Sequence, residues 1–285
     1  MKPFTWLAPD TTAGAVAMLR EHAPDARAIA GGQSLLLALK DRSARPTHLV
    51  SLSGIDELTG VRTADDGSLV VGAATTYAVL ARASLAGWHG VLAEVAGDLA
   101  DRPVRNRGTI GGALCTADPR YDMPAFAIGV GAGLRVSGAS GDRAVAAEDF
   151  AEGAGVTALG PDEILTAVVL PPLAAWDTVA FEKFRHRVFD AAIVSVTCAL
   201  RQGPDGTVAE TRLAVGGATP VPVTAPVAAA LLAEGASAAE VGTRAADEVL
   251  PGGTTGGEAV RYRHELIRSL VRRAVDRALS DVRTV

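Results

Sequence analysis

The sequence predicts an α+β protein, a mixed N-terminal region followed by a sheet with helices on one side. Up to about residue 173, short apolar strand patterns alternate with short helical ones. Beyond it come longer strand patterns and then an Ala-rich helical tail, so units of 1–173 and 174–285 are expected, with the boundary near Leu173. A third observation bears on function: two Gly-Gly pairs, at 31–32 and 111–112, each stand beside an apolar run and a hydroxyl residue.

The elements follow in order. Thr11 or Thr12 caps a helix through Val16, Leu19 and Arg20, which Pro24 stops before a short strand from Ala26 to Ala30. Leu35, Leu36 and Leu39 suggest a short helix, His48 to Leu52 a buried strand, and VRTADDGSLVVGA a hairpin turning at Asp66-Gly67. Helical patterns run from Thr76 to Ala83, from about Gly90 to Leu99, and from Asp122 to Val130. The hairpin LRVSGASGDRAV and the strand DEILTAVVLPP, ended by its prolines, complete this region. The second region reads as the strands TVAFEKF, IVSVTCAL and, after the Pro204-Asp205-Gly206 turn, TVAETRLAVGGA. The chain turns helical beyond Pro226 and ends in a helix whose apolar stripe is Ile267, Leu270, Val271, Ala274 and Ala278.

With 285 residues, 48% hydrophobic and 21% charged, the composition is globular. A net charge of −5 gives no general attraction to nucleic acid or anionic lipid. No leader-like or membrane-length apolar segment stands out, so a cytoplasmic protein is expected. Cys115 and Cys198 lack the spacing and number for an iron–sulfur cluster or a four-cysteine zinc site, and the histidines are scattered, so no metal is expected.

Consecutive glycines let a backbone take φ > 0, let a ligand approach the main chain, and expose successive N–H groups to an anion. Both pairs are read as such turns, with Ser34 and Thr109 each adding a hydroxyl. There is no G-x-x-x-x-G-K-[ST], and Gly129, Gly131 and Gly133 precede a strand instead of following one. Glycine is also the default wherever a chain turns, so residue chemistry alone reaches only a phosphorylated cofactor.

Longer motifs carry a family likeness. AGGQSL at 30–35, RNRGTIGG at 105–112, ADPRYDMPA at 117–125, EILTAVVLP with FEKF, TRLAVGGATPVPVTAP at 211–226 and YRHELIRSLVRRAV at 262–275 resemble the FAD-binding medium subunit of molybdenum hydroxylases, the carbon monoxide dehydrogenase and xanthine dehydrogenase group. The resemblance implies a two-subdomain FAD-binding domain of the PCMH/VAO-like type followed by a smaller α+β domain. It places Ala28, Ile29, Ala30, Gly31, Gly32, Gln33, Ser34 and Leu35, together with Thr109, Ile110, Gly111, Gly112 and Ala113, around the flavin diphosphate. Asp122 is implied at the ribityl or nearby hydroxyls, Leu99 and Leu165 against the flavin, and Lys183 near the isoalloxazine. The family commonly has Asn where this chain has Ala113, so one side-chain amide is missing, worth about 0.5–1.5 kcal/mol as an ordinary hydrogen bond.

The same resemblance implies FAD, read as non-covalent because neither flavin loop holds a histidine for covalent attachment, with molybdopterin and [2Fe–2S] clusters only in partner subunits. These would be a molybdenum-cofactor large subunit and an iron–sulfur small subunit, together a heterohexamer. The implied role is to pass electrons from the clusters to an external acceptor, with no catalytic side chain. A free-standing FAD oxidoreductase acting directly on a small molecule is the alternative, and a glycine-rich scaffold with an empty cradle a third reading.

Overall fold

The computed structural model describes residues 2–282. Strand β1 (Thr5–Leu7), helix α1 (Thr12–Glu21), strand β2 (Ala26–Ile29), helix α2 (Leu35–Asp41) and strand β3 (His48–Ser51) build a small parallel sheet ordered β1-β3-β2. The Gly14 amide donates to Thr11 Oγ1, which makes Thr11 the cap of α1. Its buried face, Ala15, Val16 and Leu19, packs with Val50, Ile55 and Leu58. Because the strands are parallel, their carboxyl ends share one edge, where loops of such sheets form ligand crevices. The Gly31-Gly32 pair leaves β2 at that edge.

The hairpin of β4 (Val61–Thr63) and β5 (Leu69–Gly72) forms at Asp66-Gly67, with Gly67 at φ +83° and the Ser68 amide donating to Asp66 Oδ1. Helices α3 (Tyr77–Leu80), α4 (Gly90–Gly97), α5 (Arg102–Arg107), α6 (Ile110–Thr116) and α7 (Asp122–Gly129) follow. Next come the hairpin β6 (Gly133–Gly138) and β7 (Gly141–Ala146), the ribbon β8 (Ala151–Gly153) and β9 (Val156–Thr157), and β10 (Ile164–Leu170). β10 is the centre of an antiparallel five-stranded sheet, β4-β5-β10-β6-β7. Against it the helices bury the largest core, which includes Trp88, Phe126, Phe150 and Trp176.

Strands β11 (Thr178–Phe184), β12 (Val194–Gln202), β13 (Val208–Gly216) and β14 (Val223–Thr224) pair in sequence order as an antiparallel sheet. Helices α8 (Pro226–Ala233), α9 (Ala238–Val249) and α10 (Glu258–Val282) cover one face. Ser237 and Glu240 form a capping box at the start of α9, and α10 buries the stripe that its spacing predicts. The opposite face receives α7 from the first region. Thr197 Oγ1 donates to the Ala125 carbonyl at 3.1 Å, and at Gly129 a Cβ would stand 2.3 Å from Thr197 Cβ. This tight crossing locks the sheet to the helix that begins with Asp122.

The α+β architecture is as the sequence predicts, with one local correction: the second glycine pair is not a turn. Gly111 and Gly112 lie inside α6, with Thr109 as its N-cap, and α5 just before it, capped by Asp101, is a further helix that the pattern does not reveal. No helix among the described residues is long and apolar enough to cross a membrane.

Candidate functional site

A cleft of about 930 Å³ lies between the carboxyl edge of the parallel sheet and helices α5 to α7, with residues 155–163 as a further rim. That volume is near the top of the roughly 300–1,000 Å³ typical of small-molecule sites. Its walls carry residues 26 to 35, Leu99, Ala100, Thr109, Gly112, Ala113, Cys115, Tyr121, Asp122 and Lys183.

The first glycine loop is open for binding. Among the described residues, the amides of Gly31, Gly32, Gln33, Ser34 and Leu35 donate to no other group of the chain. The first amide of this stretch used internally is that of Leu36, which donates to the Gly32 carbonyl. Gly32 has φ +73°, so the loop needs glycine there, and Gln33 Nε2 braces it by donating to the Gly31 carbonyl at 3.1 Å. Gly31 is required by the chain itself, because a Cβ would sit 1.9 Å from the Arg107 carbonyl oxygen. The two glycine segments are thus in direct contact.

The second pair is closed by contrast. The Ile110 amide donates to the Thr75 carbonyl, Gly111 to Ala73, Gly112 to Thr109 Oγ1 at 3.0 Å, and Ala113 to the Thr109 carbonyl. A Cβ on Gly111 would come within 2.6 Å of Ala73 Cβ and 2.7 Å of its carbonyl oxygen, so this glycine lets α6 seat against the end of β5. The expectation of a second exposed amide cradle is therefore corrected: helix closure and the Thr109 cap consume those donors.

Beyond α6 the cleft carries charge. Asp122, 3% exposed at the start of α7, accepts from Lys183 Nζ at 2.5 Å. Lys183 also donates to the Asp98 carbonyl and lies 3.1 Å from its carboxylate, which Arg185 grips at 2.6 Å. Burial pushes the Asp122 carboxyl above the usual carboxylate range, and Lys183 pulls it part of the way back. Asp98, although its partial burial acts the other way, is held below its ordinary value by Arg185 and Lys183. Asp122 Oδ1 is buried without a hydrogen-bond partner. An unsatisfied acceptor of this kind costs about 1–3 kcal/mol unless a ligand donor reaches it.

Of the residues implied by sequence, Ala28 through Leu35, Leu99, Thr109, Gly112, Ala113, Asp122 and Lys183 line this one cleft. Ile110, Gly111 and Leu165 do not: Ile110 and Leu165 point into the main core, at 2% and 3% exposure, and Gly111 is pressed on Ala73. Sequence reasoning did not name Tyr121, which lines the cleft, or Asp98 and Arg185, which pair beside Lys183. Tyr121 stands beside Asp122 within ADPRYDMPA and had that adjacency as a signal, whereas the Asp98–Arg185 pair joins residues far apart in the chain and had none.

The donor set suits an anion at residues 31–35 and a hydroxyl donor at Asp122, which is the chemistry of a diphosphate and a polyol chain in one ligand. Residues 2–173 match the model of the FAD binding domain in molybdopterin dehydrogenase, and residues 179–278 that of the CO dehydrogenase flavoprotein C-terminal domain. The chain is 33% identical to the carbon monoxide dehydrogenase medium chain of Afipia carboxidovorans over 280 residues, 96% of each chain. It is likewise 33% identical to a xanthine dehydrogenase FAD-binding subunit of Escherichia coli, over 75% of this chain and 73% of the relative. The solved carbon monoxide dehydrogenase from Hydrogenophaga pseudoflava superposes with a TM-score of 0.89 at 32% identity, covering 98% of both chains. The chain belongs to the family of FAD-binding medium subunits of molybdenum-containing dehydrogenases, the carbon monoxide dehydrogenase and xanthine dehydrogenase type.

Proposed function

We propose that this chain holds FAD non-covalently in the cleft and serves as the electron-exit subunit of a molybdenum hydroxylase. Electrons would arrive from [2Fe–2S] clusters in a small partner subunit, which are fed by a molybdenum-cofactor large subunit, and leave to an external acceptor. The assembly is proposed as a heterohexamer, with substrate choice residing in the large subunit. Within this chain residues 1–173 form the cofactor unit and 174–285 the C-terminal unit.

The observation that carries the reading is the run of unpartnered amides from Gly31 to Leu35, sharing one cleft with the unpartnered Asp122 Oδ1. Bound FAD supplies redox chemistry that can exchange electrons singly or in pairs. The amides and the Ser34 hydroxyl hold the diphosphate, and the left-handed turn at Gly32 aims those amides. Asp122 accepts from a ribityl hydroxyl through the oxygen that Lys183 leaves free. Lys183 and Arg185 fix Asp98 and thereby the Leu99–Ala100 wall of the cleft. Arg105 Nη1 holds the carbonyls of those same two residues, at 2.8 and 2.7 Å. No side chain is assigned as nucleophile or general base.

The test is purification of the chain alone and with candidate molybdenum and iron–sulfur partner subunits. Flavin absorption from the isolated chain, and flavin with iron–sulfur absorption from the assembly, are expected. Carbon monoxide and xanthine, named for relatives, serve as first probes of reduction. If either reduces the flavin of the isolated chain as fast as that of the assembly, the electron-exit role fails and direct oxidation by this chain replaces it.

A further inference from the structure

We infer that Tyr121 is a positioning residue of the anion site: its phenol hydroxyl donates to Ser34 Oγ and so turns the Ser34 proton toward a phosphate oxygen. The inference rests on the FAD reading above and adds a residue to it.

Ser34 stands immediately before α2, where a serine hydroxyl ordinarily caps its own helix. Here it makes no such bond, because its backbone is already in the right-handed helical region at φ −103° and ψ −49°. Its hydroxyl lies instead 3.0 Å from the Tyr121 hydroxyl, a contact across 87 residues of sequence. Both residues line the cleft, and the Ser34 amide is itself one of the unpartnered donors. The hydroxyl therefore stands beside the place where an anion meets the loop.

Tyr121 is well suited to orient it, since its backbone is fixed on both sides. Its amide donates to the Asp118 carbonyl, Asp118 is gripped by Arg120, and the next residue, Asp122, is pinned by Lys183. Two hydroxyls in contact hold two protons and use one between them. A phenol is the better donor, with a pKa of about 10, and its oxygen is the poorer acceptor because its lone pair is shared with the ring. The bond therefore runs from Tyr121 to Ser34 and leaves the serine proton free. An anion accepting that proton polarises the serine oxygen and strengthens the bond from tyrosine, so the two act as a chain.

This predicts an effect specific to phosphate. Affinity for FAD should be measured on the full chain as Tyr121→Phe, Ser34→Ala and the double variant. Displacement of FAD by inorganic pyrophosphate and by riboflavin should be measured on each, with circular dichroism as the check on folding. Tyr121→Phe is expected to weaken FAD and pyrophosphate roughly 3- to 10-fold, as for one ordinary hydrogen bond, and to leave riboflavin unchanged. The double variant should be no weaker than Ser34→Ala alone, because tyrosine acts through the serine. Additive losses, an unaltered Tyr121→Phe, or an equal loss for riboflavin would each overturn the inference. An equal loss for riboflavin would identify a plain structural strap. If the wild-type chain binds no FAD, the flavin reading itself falls; if it binds FAD with no effect of Tyr121, only this inference does.

Discussion

At Gly31-Gly32 the backbone leaves a run of amides facing the cleft, whereas at Gly111-Gly112 the same residue pair is folded into a helix whose first donors are spent on Thr75, Ala73 and Thr109. The hydroxyls beside them divide in the same way: Thr109 caps its own helix, and Ser34 does not. A glycine pair therefore has no single meaning. One glycine in the first loop is needed for its φ, and Gly31 and Gly111 are both needed so that backbone can meet backbone. The second segment contributes to the site chiefly through the charge it delivers one helix later, at Asp122.

The largest expected effect tests that last statement. Lys183→Met strands the Asp122 carboxylate, and breaking a buried pair from one side costs about 3–5 kcal/mol. We expect about 3 kcal/mol near neutral pH by denaturant unfolding, because Asp98 stays held by Arg185. Asp122 is already raised by burial, so its favourable contribution is complete below the ordinary carboxylate range and is lost as pH rises through the raised value. Without Lys183 that loss deepens. The difference between variant and wild type should therefore shrink toward acid pH, and a difference that grows there would contradict the pairing.

Gly111→Ala comes next. Its Cβ meets Ala73 within 2.6–3.0 Å, which should cost about 2 kcal/mol as overpacking, while the folded fraction keeps its FAD affinity. A variant of wild-type stability that had lost FAD would restore a direct ligand role for this glycine. Gly32→Ala gives the mirror result: about 1 kcal/mol for a left-handed alanine, with FAD affinity falling tenfold or more as the amides turn away. Isothermal titration alongside unfolding separates the two outcomes.

These contrasts also mark what the sequence could tell. The first loop was legible because strand, glycine and hydroxyl follow one another locally, and the Asp66-Gly67 hairpin and the stripe of α10 are equally local patterns. Helix α6 was not, because two glycines argue against a helix and the groups that stabilise it, the carbonyls of Ala73 and Thr75, come from the turn between β5 and α3, far back in the chain. Ile110 and Leu165 sit within matching motifs yet face the core, since membership of a motif does not say which side of a helix or strand a residue takes. The hold of Lys183 and Arg185 on Asp98 is a product of tertiary structure alone.

The smallest effect is expected on the rim that serves neither glycine pair. There Arg143 grips both oxygens of Glu163 at 2.7 Å, and Glu163 also accepts from the Gly160 amide. The hydrogen bonds from Arg143 hold the Glu163 carboxyl below its ordinary value, with partial burial opposing them and the Gly160 amide assisting. A carboxyl lowered by folding contributes stability above its unfolded value, near 4.3, and loses that contribution as pH falls through the folded one. Exposed pairs of this kind are worth little, so Glu163→Gln should change the neutral-pH unfolding midpoint only slightly. Its signature is in acid, where the variant should lose less stability than wild type below about pH 4.3. If the wild-type and variant acid-unfolding curves run parallel through that window, the Arg143 grip is not formed in solution, and the rim is then free to move independently of the two glycine segments.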